Sequence, residues 1–257
     1  MSFLDELLTS TRKRVTEARA LTSDDALEQR VASIGPALDL RSALHRDEVS
    51  VIAEIKRATP SAGDLNVDLD AASLAMAYQD GGAAAISVLT EPERFKGSLE
   101  DLAAAKTSDL PVLRKDFIVD PFQIYEARAW GADACLLIVR IVGPELGELI
   151  ALTRSLGMEA LVEVFSAEDV DRALAAGAEV IGVNHRDLET FEVDAERTAK
   201  LAPSLPPGTT LVSLSGVTTR AEVEALGEAG AHSVLVGEAL VTAVDPSVKL
   251  KELRGAA

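Results

Sequence analysis

Residues 51–65, VIAEIKRATPSAGDL, change character halfway along. Val51, Ile52 and Ala53 open an aliphatic run as dense as a strand covered on both faces requires. Glu54 and Lys56 then fall two residues apart, which in a strand turns both to the same side. The run stops in Arg57-Ala58-Thr59-Pro60-Ser61-Ala62-Gly63, whose hydroxyls, proline and glycine predict a loop. A carboxylate and an ammonium together on one face at the C-terminal end of a strand are costly in a packed core and suit the edge of an active site. An ordinary ion pair at the rim would suit these residues equally well.

The same grammar repeats outward. Strands are predicted at 50–56, 84–89, 111–115, 134–138, 160–164, 180–184, 210–214 and 233–236, with amphipathic helices between them. In the helix predicted over 167–176, Val170, Ala173 and Leu174 make the apolar face; over 219–229, Val223 and Leu226 do so. Gly82-Ala83, Gly131-Ala132, Gly177-Ala178 and Gly230-Ala231 each end a helix and lead into the second, fourth, sixth or eighth strand. A glycine there fits a left-handed helix cap, and the recurrence at roughly 50 residues marks a repeated unit of two strand–helix pairs. Eight strands alternating with helices in 257 residues predict a (β/α)8 TIM barrel. An open doubly wound sheet is the alternative, disfavoured because no GxGxxG turn follows the first strand. Ahead of the barrel, residues 1–48 predict an N-terminal helical extension within one domain spanning 1–257. Its first helix starts at Ser2 with Leu4, Leu7, Leu8, Thr11 and Val15 on one stripe, and a second starts near Ser23-Asp24-Asp25.

Composition removes several classes of function. With 25 Lys+Arg against 42 Asp+Glu the net charge is −17, which repels nucleic acid and anionic lipid. No apolar run approaches the roughly 20 residues that span a bilayer, and MSFLDELLTSTRKRV lacks the apolar core of a secretory signal. One cysteine, Cys135 in an aliphatic run, excludes a disulfide framework and suggests a small buried hydrophobe. These features predict a cytoplasmic protein, and the charge favours a soluble monomer.

In such a barrel, function belongs at the C-terminal ends of the strands. Gly216 and Gly237, at the ends of the last two, fit a phosphate cradle made from backbone N–H groups, with Glu238 adding its own; two ordinary tight turns are the plainer alternative. Lys56, Arg57, Arg114, Lys115 and Arg186 all fall at or just beyond strand ends, the local positive charge that an acidic protein needs to bind an anion. Lys115 and Glu163 face each other as a candidate acid–base pair, of a kind that contributes roughly 10²–10⁴-fold per group. Phe95 and Phe117 add aromatic surface for a flat ligand in a chain only 4% aromatic.

The runs AEIKRATPSAGDL, SVLTEPERFKGSLEDL, PVLRKDFIVDPFQIYEARAWGADACLLIV, LVEVF, IGVNHRDLETFEVD and VLVGEALV together resemble indole-3-glycerol-phosphate synthase, across nearly the whole chain and in order. The resemblance implies a carbon–carbon lyase of tryptophan biosynthesis, working without metal or organic cofactor. It would close the ring of 1-(2-carboxyphenylamino)-1-deoxyribulose 5-phosphate with loss of CO2 and water. It assigns Lys115 as general acid, Glu163 and Glu54 as proton-transfer partners, and Lys56 to the phosphate and to steadying Glu54. Gly216, Gly237 and Glu238 would hold the phosphate. Phe95, Phe117 and Leu188 would pack on the aromatic ring, and Asn184, Arg186, Ser215, Thr59 and Ser61 would bind the polar periphery. The N-terminal helix would help cover the mouth.

One departure stands out. Where the family usually reads Ala-Glu-Ser-Gly, this chain reads Ser213-Leu214-Ser215-Gly216. A substrate polar group left facing Leu214 would cost roughly 1–3 kcal/mol. Leu214 therefore raises a second reading, a catalytically weakened paralogue that still binds phosphorylated ligands, against which the intact Lys115, Glu163 and Glu54 argue. Ala62 also stands where many members carry a loop lysine. Phosphoribosylanthranilate isomerase, a related phosphate-binding barrel, generally lacks both the extension and the Glu54/Lys56/Lys115/Glu163 set.

Overall fold

A computed structural model describes residues 3–256. Eight parallel strands close into a barrel: β1 Ser50–Ile55, β2 Ala85–Leu89, β3 Val112–Lys115, β4 Ala134–Ile138, β5 Glu159–Val164, β6 Val180–Asn184, β7 Thr210–Leu214 and β8 Ser233–Val236. Each pairs with its neighbours in sequence, and β8 returns to β1 with Ser50 opposite Ser233. The predicted strands stand where the aliphatic runs placed them, with ends moved by a residue. β1 stops at Ile55, leaving Lys56 just beyond it, and β3 starts after Pro111, which has no N–H to give a ladder. A two-stranded hairpin, Ala58–Thr59 with Gly63–Asp64, occupies the stretch predicted as a loop and runs one residue past it.

Alternation along the strands sorts the core into two layers. Val51, Ala53 and Ile55 face outward with Val88, Leu137 and Val162 against the helices. Ile52, Leu113, Leu136, Leu161, Val212 and Leu235 fill the barrel interior. Towards the C-terminal ends that inner row turns charged and polar, as Glu54, Lys115, Glu163 and Asn184. The helices between strands begin where side-chain caps dictate: Asp70, Ser98, Asp120, Ser166 and Thr219 each accept a backbone N–H of the first turn. Gly82, Gly131, Gly177 and Gly230 follow the paired helices at φ of +82°, +94°, +85° and +98°, so the recurring glycines answer a backbone need.

Three helices precede β1: α1 Phe3–Leu21, α2 Asp24–Ser33 and α3 Leu40–Leu44. The predicted start of α1 at Ser2 lies outside the described residues. Leu7, Thr11 and Val15 of α1 are buried, as the stripe required, and each fully buried apolar side chain contributes about 1.5–3 kcal/mol. Polar clamps fix its direction. Arg14 donates to both carboxylate oxygens of Asp116 at 3.2 and 2.9 Å, and Arg19 to Asp120 at 2.7 Å. At the opposite end of the barrel, Leu40 and Leu44 of α3 are fully buried, Ser50 at the start of β1 donates to the Leu44 carbonyl, and His45 bonds Thr210. No helix among the described residues is long and apolar enough to cross a membrane.

Candidate active site

A cavity of about 320 Å³ opens at the C-terminal ends of the strands. Glu54, Lys115, Glu163 and Asn184 project into it from β1, β3, β5 and β6, and Lys56 joins them from just past β1. Leu89, Leu136, Ile138 and Leu235 give it apolar walls and floor. Phe95, Phe117 and Leu188 line one part of it, with the two phenyl rings 6.2 Å apart. Thr59, Arg186, Ser215, Gly216, Gly237 and Glu238 complete the polar rim.

The charged centre is an asymmetric arrangement. Lys56 Nζ lies 2.9 Å from Glu54 Oε1, and Lys115 Nζ lies 3.7 Å from Glu54 Oε2. Burial pushes the Glu54 carboxyl up, but Lys56 and then Lys115 outweigh it and hold the group below the usual carboxylate range. Burial also pushes Glu163 up; there the single lysine, Lys115, and the amide of Asn184 only partly offset it, so Glu163 stays above that range. Asn184 Nδ2 donates to Glu163 Oε1 at 3.1 Å, while Glu163 Oε2 has no hydrogen-bond partner within the protein. Two carboxyls in one cavity are thus driven in opposite directions, the condition under which one serves as acid and the other as base. Lys115, expected opposite Glu163, contacts Glu54 directly and acts on both.

Gly237 sits against this centre. A Cβ there would fall 2.5 Å from Glu54 Oε1 and 3.0 Å from Lys56 Nζ, so only glycine lets the chain end of β8 pass so close. Gly216 has φ +81° and follows Ser215 at φ +69°, a sharp left-handed turn that lines the cavity.

Several expectations need correcting. Arg57 and Arg114 do not supply charge to the cavity. Arg114 neighbours Lys115 in β3 and so points to the other face, where it is fully buried between Asp116 and Glu126 at 3.1 and 2.9 Å. Arg57 pairs with Asp101 and donates to the Leu69 carbonyl at 3.1 Å. Ser61 is exposed at the hairpin turn, where its hydroxyl meets Thr59 Oγ1 at 3.2 Å, and does not line the cavity. Leu214 does not line it either. It is 1% exposed, and its Cδ1 stands 2.8 Å from the place of a Cβ on Gly182, so it fills the space that glycine leaves in the barrel interior.

Phe3 and Phe191 are among the residues of the mouth that went unnoticed in the sequence. Phe3 lines the cavity from α1 and meets Phe191 edge-on at 5.0 Å, with the Arg94 guanidinium 5.4 Å from its ring. Extending the Leu7 stripe back by one helical turn would have found Phe3; Phe191 carries no comparable signal.

A family model described as indole-3-glycerol phosphate synthase matches residues 4–253. The chain is 51% identical over 252 residues to the indole-3-glycerol phosphate synthase of Mycolicibacterium smegmatis, covering 97% of this chain and 93% of that one. It is 49% identical over the same length and coverage to that of Mycobacterium tuberculosis. Among solved structures, a 3-hexulose-6-phosphate synthase superposes with TM-score 0.62 at 18% identity, covering 81% of this chain and 99% of that one. A thiamine phosphate pyrophosphorylase from Pyrococcus furiosus does so at 0.61 and 18%, covering 85% and 97%. At that identity the structural likeness speaks for the barrel alone.

Proposed function

The chain belongs to the indole-3-glycerol phosphate synthase family, a carboxy-lyase of tryptophan biosynthesis acting on a small phosphorylated substrate, and from that premise we propose which side chains carry the reaction. The aromatic carbon bearing the carboxylate attacks the ketone of 1-(2-carboxyphenylamino)-1-deoxyribulose 5-phosphate, and Lys115 delivers a proton to the ketone oxygen as the bond forms. Breaking the bond to CO2 returns its electron pair to the ring. The new hydroxyl then leaves as water with a proton from Glu163, while Glu54 takes the proton from the adjacent methylene, and the indole is complete. Glu163 suits the acid role because burial keeps it protonated further up the pH scale, and Glu54 suits the base role because two lysines keep it ionised. That opposed pair of carboxyls, with Lys115 acting on both, is the observation that carries the assignment.

Lys56 and the backbone N–H groups at Gly216, Gly237 and Glu238 take the phosphate. Phe95, Phe117 and Leu188 hold the aromatic ring, with Phe3 closing over it. Asn184, Arg186, Ser215 and Thr59 bind the remaining polar groups. The charge of −17 supports a cytoplasmic monomer. The test is steady-state formation of indole-3-glycerol phosphate by Lys115→Met. The expected result is a loss in kcat of roughly 10²-fold or more with KM little changed. A variant that keeps kcat within a few-fold removes Lys115 from the chemistry.

A further inference from the structure

His185, the residue after β6, takes no part in the scheme above, yet it is buried at 2% exposure. Its neighbour Asn184 points into the cavity, so by alternation the imidazole lies behind the strands. There Nε2 sits 2.8 Å from Thr198 Oγ1 and 3.1 Å from Ser213 Oγ, and the two hydroxyls are 2.9 Å apart. Three polar side chains, from just past β6, the helix Arg197–Leu201 and β7, thus close on one another behind the strands. All three are buried, and apolar residues would fill that space without a desolvation cost.

The other edge of the ring shows what the cluster holds. The imidazole's other edge lies against the Ser215–Gly216 turn, its Nδ1 4.0 Å from the position of a Cβ on Gly216. The His185 N–H also donates to the Leu214 carbonyl at 3.0 Å, so side chain and main chain grip the same turn. Ser215 and Gly216 occupy successive left-handed conformations, and for serine that conformation is strained and needs outside support. Burial, and then the Arg197 guanidinium, lower the imidazole's affinity for a proton, so the ring is neutral. With Nε2 accepting from a hydroxyl, Nδ1–H is left to donate towards Ser215.

We propose that His185, locked by Thr198 and Ser213, is a positioning residue that holds the Ser215–Gly216 turn in the shape that presents its backbone N–H groups to the substrate phosphate. The inference rests on the assignment of that turn to phosphate binding. His185 touches no substrate; it acts only through the turn, so its loss should weaken binding while leaving the proton-transfer groups in place.

The experiment compares the unsubstituted chain with His185→Phe, which keeps a flat ring and removes both nitrogens. It measures KM, kcat and the competitive inhibition constant of inorganic phosphate. Expected are rises of about tenfold in KM and in the phosphate constant together, the scale of one lost hydrogen bond, with kcat within about threefold. His185→Asn, whose amide reaches the place of Nδ1, should recover most of the phosphate affinity. Thr198→Val leaves the ring in place but cuts its anchor, and gives the same pattern at smaller amplitude should the phenylalanine variant fail to fold. A phosphate constant unchanged in His185→Phe, or in Thr198→Val where only that variant folds, overturns the proposal while leaving the cradle intact. Phosphate that fails to compete even with the unsubstituted chain overturns the cradle assignment, and the role of His185 with it.

Discussion

Leu214→Glu restores the carboxylate that relatives usually carry at the end of β7, and the structure argues that it does harm here. Leu214 is 1% exposed, and its side chain fills the gap above Gly182 rather than facing the cavity. Replacing it forfeits about 1.5–3 kcal/mol of apolar burial. A carboxyl left there without a partner costs about 1–3 kcal/mol more. The sum, about 2.5–6 kcal/mol, corresponds to a fall in Tm of roughly 5–24 °C at this chain length. Catalysis should suffer separately. Leu214 is opposite Asn184 in the β6–β7 ladder, and Asn184 is the residue whose amide holds Glu163 at 3.1 Å. A glutamate at 214 adds a like charge beside that pair, so kcat should fall about tenfold or more. Thermal melts and steady-state formation of indole-3-glycerol phosphate, followed by indole fluorescence, read both effects. A variant that melts no lower and turns over faster would refute the argument, and would mean that leucine handicaps a site still shaped for the acid.

Glu163→Gln should separate stability from function. Because the folded state raises this carboxyl, the native protein holds an extra proton between the ordinary carboxylate value and the folded one. The stability present at low pH is therefore lost as pH rises through that window, and the glutamine variant should show no such loss. At neutral pH it should melt no lower than the parent while kcat drops roughly 10²–10⁴-fold; a lower Tm with near-normal kcat would contradict both halves. Arg14→Met removes the two-pronged clamp on Asp116, which Arg114 continues to neutralise. A loss of about 2–4 kcal/mol, slightly less than a fully broken buried pair, should appear in the urea midpoint; no shift would mean that α1 is held by its apolar face alone.

The barrel was legible because both of its periods are physical necessities. The strands must be aliphatic on both faces, and every second helix ends in a glycine with positive φ. The inward row of the strands likewise announced Glu54, Lys115, Glu163 and Asn184. Charge counting near strand ends misled for a reason just as physical: Arg114 and Lys115 are adjacent, so one must turn its back on the cavity that the other enters. Leu214 looked alarming as a letter because the sequence does not show that Gly182 opens a space beside it. The grip of His185 on the Ser215–Gly216 turn joins residues from three elements, and no spacing along the chain encodes it.

The clamps on α1 have a consequence for how the protein is made. Arg14 finds Asp116 across 102 positions and Arg19 finds Asp120 across 101. Helix α1 leaves the ribosome ahead of these partners, which follow only after roughly 5–20 s at about 5–20 residues per second, with Phe191 later still. During that interval Leu7 lacks its partners in the barrel and Val15 has only those of the next helix, so the nascent chain carries a sticky amphipathic segment ahead of an unclosed sheet. Closing the barrel then waits for β8, the last strand, to meet β1, the first. Slow synthesis should therefore lengthen the period in which chaperones have something to hold, with α1 waiting for partners about a hundred residues behind it.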